Sequence, residues 1–296
     1  MTNKTNIVRG TLTGVGGVLG ASIAVVVVGA LTLVPLPQFA PGVPVFQVTP
    51  IASTQNLVCP GPLVQVNSDK NATVSYLSNG APNLLTDSTS PRLTKTPLTM
   101  TDNKAPAELG SPMLLSVPAD KGASEQPLVA GTQLQPGTGE SLAGLAAVSC
   151  AEPSNDSWLV GGATDVGRMT LLVLENPTDI FSTAKLEIFG EKGQVTLLKS
   201  DGIAVPPKTQ RIISVSGYAR DTFAPVVHVT SSGGALLATL QQSVTRVLTP
   251  SGVEWVNPSS TPNTTQIMTG VYLSGVGASD DAEHGAVSSD LESAIR

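Results

Sequence analysis

Between Gly10 and Ser68 the chain carries no Asp, Glu, Lys, Arg or His. Within that stretch, residues Thr11 to Val34 offer only small hydroxyls as polar groups. As a helix this segment would span ~36 Å, enough to cross a hydrocarbon core of ~30 Å. Pro35 and Pro37 then stop it. Lys4 and Arg9 precede the apolar run and no charge follows it closely, so residues 1–10 are expected in the cytoplasm and everything beyond Pro35 outside. The pattern thus predicts a transmembrane signal anchor over 11–34. A cleaved signal peptide, with Val28-Gly29-Ala30 as its small-residue site, is the competing reading. The apolar run is longer than the ~7–15 residues of a typical signal core, which favours retention. Both readings export the rest of the chain. Gly10 with Gly14, and Gly16 with Gly20, have the spacing that lets membrane helices pack closely, although glycine is common in such helices anyway.

Beyond the apolar segment the periodicity changes. Residues 35–58 form a Pro-rich, uncharged stalk. Residues 59–150 carry short apolar runs (Leu63–Val66, Val74–Leu77, Met113–Val117) separated by polar tracts, and read as an irregular β-containing region with a loose middle around 82–110. Residues 151–245 are better patterned. Ala184, Leu186 and Ile188 alternate with Lys185 and Glu187, and Val227 and Val229 flank His228. Met169, Leu171 and Val173 alternate with Arg168, Thr170 and Leu172. Turn signals such as Asn176-Pro177-Thr178-Asp179, Asp201-Gly202 and Pro206-Pro207 punctuate these runs. Short strands at this spacing predict a mainly β fold, an immunoglobulin-like antiparallel β-sandwich over 151–245, with a connector and tail over 246–296.

Composition agrees with many short strands. The chain has 29 Gly and 23 Pro, 3% aromatics, and a charged fraction of 13% against a usual ~25%. Its net charge of −6, without a dense Lys/Arg block, argues against nucleic acid as a partner. Cys59 and Cys150 are the only cysteines, too few for a thiolate metal site, and an exported pair is expected to form a disulfide. No metal or cofactor is implied.

Candidate chemistry is sparse. Ser182-Thr183-Ala184-Lys185 matches the Ser-x-x-Lys of penicillin-interacting enzymes, but it falls on a predicted strand, where the two side chains would point to opposite faces. His228 lies on the polar face of its strand and is expected at the surface. Paired carboxylates for glycoside hydrolysis are not legible. Trp158 and Trp255, the largest apolar groups outside the membrane segment, are the candidate ligand contacts.

One resemblance adds to this. Cys59-Pro60-Gly61-Pro62 after the apolar helix, Trp158-Leu-Val-Gly-Gly, Leu174-Glu-Asn-Pro-Thr-Asp179, Ile203-Ala-Val-Pro-Pro207 and Gly252-Val-Glu-Trp255 resemble an uncharacterised actinobacterial family of membrane-anchored, exported proteins. The resemblance covers about residues 1–270. Genes of that family often lie beside one for a membrane glycosyltransferase, which implies cell-envelope work but supplies no site residues. Its members usually continue into a second β-sandwich, so a chain ending at Arg296 is expected to be a short or truncated member. The expected function is a non-catalytic envelope protein on the bilayer, binding a protein or glycan partner. A carbohydrate-binding module is the alternative, and a hydrolase comes third.

Overall fold

The computed structural model describes residues 52–66, 75–103, 109–138, 141–197 and 202–265. The expected anchor and its glycines (Gly10, Gly14, Gly16, Gly20), most of the stalk and the tail lie outside the described residues. No helix among the described residues is long and apolar enough to cross a membrane.

The protein is mainly β. Its first half contains β1 (Gln55–Cys59), β2 (Val64–Val66), β3 (Tyr76–Ser78), β4 (Asn83–Ser88), β5 (Thr94–Pro97), β6 (Thr99–Met100), β7 (Met113–Val117), β8 (Val129–Gly137) and β9 (Gly144–Ser149). The second contains β10 (Asp156–Val160), β11 (Arg168–Asn176), β12 (Ser182–Gly190), β13 (Gly193–Gln194), β14 (Ile203–Val205), β15 (Thr209–Ser214), β16 (Val226–Gly233), β17 (Leu237–Arg246) and β18 (Thr249–Val256).

Two sheets build the second half. One runs β10-β16-β12-β13, with β14 also on β12, and the other runs β18-β17-β11-β15-β6. They share one core, in which Leu159, Ile188, Val227 and Val229 meet Leu172, Leu174, Ala238 and Leu240. The β11–β15 and β12–β16 pairs sit in opposite sheets, as the corresponding pairs do in an immunoglobulin fold. The flanking strands are exchanged, however. β10 joins β16 and β17 joins β11, whereas in the immunoglobulin arrangement the first strand pairs with the second and the last with the sixth.

The central sheet is covered on both faces, which simple alternation does not predict. Leu172 and Leu174 of β11 face the shared core, while Leu171 and Val173 face a second core with Leu63, Val64, Tyr76, Leu142, Val148 and Trp255. This accounts for the near-unbroken apolar run Met169–Leu174, since a strand buried on both sides needs no polar parity. The described residues between 59 and 150 supply the cover, and they carry more strand than the sequence pattern suggests. Sheets β1-β7-β5 and β4-β8-β9 enclose the Cys59–Cys150 disulfide with Leu57, Leu115 and Val129. Strands β4 to β6 occupy part of the stretch expected to be loose, and Leu84 of β4 and Leu93, just before β5, reach this small core. Likewise β18 falls where a connector was expected. Its alternate residues Val253 and Trp255 are buried by the first half of the chain.

The path of residues 60–64 through this interior depends on side-chain amides. Gly61, at φ +83, has no room for a Cβ, which would lie 2.6 Å from Pro112 N. The Gly61 N–H donates to Gln133 Oε1 at 3.1 Å and its carbonyl accepts from Gln133 Nε2 at 2.6 Å. Leu63 N–H donates to Gln135 Oε1. Val64 exchanges two bonds with Gln241, at 2.8 and 2.7 Å. Gln210 Nε2 donates to Pro60 O and to Glu175 Oε1, at 2.8 and 3.0 Å. The four glutamines are all buried.

Glu175 itself is fully buried, and its Oε2 has no hydrogen-bond partner. Burial pushes its pKa up from 4.5 to about 8, against the opposing Gln210 hydrogen bond. Between these values the folded state holds a proton that the unfolded chain has released. Stability should therefore fall as pH rises through that window, with a slope of up to ~1.4 kcal/mol per pH unit. Denaturant titrations between pH 5 and 8 should show this slope in the native protein and its loss in Glu175→Gln. In the same titration Gln241→Leu, which strips both partners from buried Val64, should cost about 2–4 kcal/mol.

Candidate functional site

The alternation of β12 and β16 turns one set of side chains into the core and the other to solvent. On the solvent face of the β10-β16-β12 sheet, strand register aligns Trp158, His228 and Glu187 in one row. Asp156, Thr230 and Lys185 form the row on one side, and Val160, Val226 and Phe189 the row on the other. The imidazole of His228 stacks on the Trp158 indole, with centroids 4.0 Å apart and planes 12° from parallel. Phe189 lies 5.9 Å from the same indole at 23°.

Both imidazole nitrogens meet carboxylates. His228 Nδ1 is 2.8 Å from Glu187 Oε2, and Nε2 is 3.4 Å from Asp156 Oδ2. Glu187 Oε1 also accepts from Gln194 Nε2 at 3.5 Å. His228 does lie on the outer face as expected, yet its side chain is only 12% exposed, because its neighbours enclose it. A histidine held this way orients two carboxylates and an indole. At the sheet edge the Trp158 carbonyl accepts from both the backbone N–H and the hydroxyl of Ser259, which pins residues 257–259 beside the row.

The other residues singled out in the sequence lie elsewhere. Trp255 is buried in the second core, 8% exposed, and its indole N–H finds no partner. It packs against the first half of the chain and offers no ligand platform. Cys59 and Cys150 are bonded to one another. Ser182 is buried with its hydroxyl donating to Gly234 O at 2.7 Å, whereas Lys185 is exposed on the opposite face. Among the described residues no group of three or more His, Cys, Asp or Glu is placed to hold a metal ion.

The motifs that carry the resemblance are mostly structural. Asn176, fully buried, donates to Ile180 O and Val205 O and accepts from the N–H and hydroxyl of Thr178, tying the Asn-Pro-Thr-Asp turn to the end of β14. Of those motifs only Trp158-Leu-Val-Gly-Gly brings a large side chain to the solvent-facing sheet. The enclosure of His228 by Trp158, Glu187 and Asp156 was not legible, since these residues come from three strands and 72 positions of chain.

The model of a family of unknown function, DUF5719, matches residues 101–288. The chain belongs to this family. No curated protein and no solved structure matches the chain. The DUF5719 region contains the whole Trp158–His228–Glu187 row and Cys150, but begins after Cys59 and the Cys-Pro-Gly-Pro segment. The outer row therefore belongs to the shared family region, and half of the disulfide does not.

Removal of the imidazole provides a direct test of the stack. His228→Ala should raise Trp158 emission, leave the fold intact by circular dichroism, and cost about 1 kcal/mol in denaturant titrations.

Proposed function

We propose that this DUF5719 protein is a non-catalytic component of the cell envelope that binds another envelope component through the solvent face of its β10-β16-β12 sheet. The observation that carries this reading is the Trp158–His228–Glu187 row, which presents a half-buried indole beside two hydrogen-bonded carboxylates on a sheet face where Asp156, Val160, Lys185 and Glu187 are exposed. Rigid aromatic side chains with a polar margin suit a binding surface better than a reaction centre, since they bury area at little entropic cost.

In this reading the segment over 11–34 holds the protein at the membrane and the bulk lies outside. The Cys59–Cys150 disulfide supports the oxidising compartment this requires. The resemblance to actinobacterial anchored proteins encoded beside a membrane glycosyltransferase supports a scaffold or accessory role in envelope assembly. A cell-wall glycan is the second reading, favoured by the exposed portion of Trp158. A hydrolase is the least supported, because Ser182 and Lys185 point to opposite faces of β12.

A photo-crosslinking residue placed at Thr230, in the row next to His228, tests this in cells. The expected result is reproducible capture of one envelope-assembly protein, lost when Trp158→Ala is introduced. Attachment to cell-wall polymer alone would replace the scaffold reading with the glycan one. Capture unaffected by Trp158→Ala would reject this face as the binding surface.

A further inference from the structure

At one end of the second-half sandwich the turns run against local preference. β17 and β18 are joined by the two-residue turn Val247–Leu248. Such turns favour Asn, Asp and Gly, because their central residues take positive φ. Val247 nonetheless holds φ +60 and is 97% exposed, and Leu248 is 89% exposed. A β-branched residue in the left-handed region costs on the order of 1–2 kcal/mol, and local strain of this kind points to function more often than to packing. No burial among the described residues offsets that cost.

Other apolar groups gather beside this turn. Val166, 96% exposed, tips the connection between β10 and β11. Thr245 N–H donates to Gly167 O at 2.7 Å, which holds the two turns side by side. Phe223 is exposed beside them, with the Arg168 guanidinium 4.7 Å from its ring centroid.

Directly behind these tips opens a cleft of about 390 Å³, walled by Ser141, Ser243, Thr245 and Gln65, with Met169 and Arg168 among its lining residues. Arg168 is the one charged residue among the described residues of that lining. Its guanidinium makes no hydrogen bond to a described residue, and its ion-pair partner, Asp165 Oδ1, is 3.7 Å away. A half-buried fork whose one carboxylate partner stands beyond hydrogen-bond distance keeps donors open to a phosphate oxygen. Arg246 ends β17 at this end, and Arg220 and Lys192 lie in the connections of the same end, as do Asp165, Asp221 and Glu191. Glu191 is occupied by the N–H groups of Phe223 and Ala224. This balance differs from that of the chain as a whole, whose net charge is −6.

We propose that this end of the molecule docks on an anionic lipid bilayer. Val166, Phe223, Val247 and Leu248 enter the interface, and Arg168 receives a lipid phosphate in the cleft behind them. Convex apolar tips suit a bilayer, which deforms around them, whereas a protein partner would need matching pockets. The hydroxyl-lined wall suits the polar part of a headgroup, and Arg168, which leaves this end with one cation more than its carboxylates, suits the negative surface potential of the leaflet. This docking is independent of the membrane helix expected over 11–34 and of the outer sheet face. It predicts that the end of the sandwich lies against the lipid surface.

Cys59 and Cys150 are bonded to one another, so a single introduced cysteine can be labelled uniquely. The full chain carrying Leu248→Cys with an environment-sensitive dye is reconstituted into vesicles of phosphatidylcholine alone, or of phosphatidylcholine with phosphatidylglycerol. The dye should shift to the blue and be quenched by acyl-chain spin labels only on the anionic vesicles. Arg168→Gln, with its folding checked by an unchanged melting temperature, should lower the buried fraction of dye about fivefold. The same dye at exposed Leu128, on the N-terminal sheets, should stay aqueous. Emission at 248 that stays aqueous on anionic vesicles would overturn the proposal. So would an equal shift on neutral vesicles that survives Arg168→Gln, or a matching shift at 128.

Discussion

A buried stretch of backbone that meets a strand partner only at its end, where β2 pairs with β3, is the constraint around which this fold is built. Residues 60–64 pass between the N-terminal sheets and the central sheet, where water cannot satisfy their peptide groups. Gln133, Gln135, Gln210 and Gln241 bond the peptide groups that the β2–β3 pair leaves unserved, and two of them return both bonds to a single residue. These amides come from β8, β15 and β17, so forming the clamp fixes the two halves of the chain against each other. An unmade bond here would cost more than an ordinary one gains, since each orphaned buried group carries its full desolvation penalty. The Cys59–Cys150 disulfide acts at the entrance of the same segment and limits where it can begin.

Glu175 is the exception within that clamp. It lies on the same face of β11 as Leu171 and Val173, directly opposite Gln210, and one of its oxygens is unpaired. A carboxyl in such a place is held neutral, and the clamp therefore depends on protonation as well as on geometry. The polar residues of the interior thus serve to specify one chain path. Those of the outer sheet face, by contrast, are arranged around an indole that remains accessible.

The two surfaces differ in how they use aromatic and apolar groups. On the outer sheet face Trp158 is held rigid by stacking on His228, which is itself fixed between two carboxylates. At the end of the sandwich Val247 and Leu248 stand free in a strained turn. The first arrangement offers a preorganised contact of defined shape, and the second offers apolar surface without one.

Several features were determined by the sequence alone. The alternation around Lys185 and Glu187 and around His228 specified strands and their outward faces, and the isolated cysteine pair specified a disulfide. Separation of Ser182 from Lys185 followed from the strand period. Only the tertiary structure decided that β11 is covered on both sides, that β18 is a strand with Trp255 buried, and that the edge strands of the sandwich are exchanged. It also decided that His228 is enclosed. The physical reason is common to these cases. A strand's period shows which residues share a face, but what covers that face is set by segments up to 177 residues away, as in the bond between Val64 and Gln241. Local pattern carries no information about such a partner until the chain has folded.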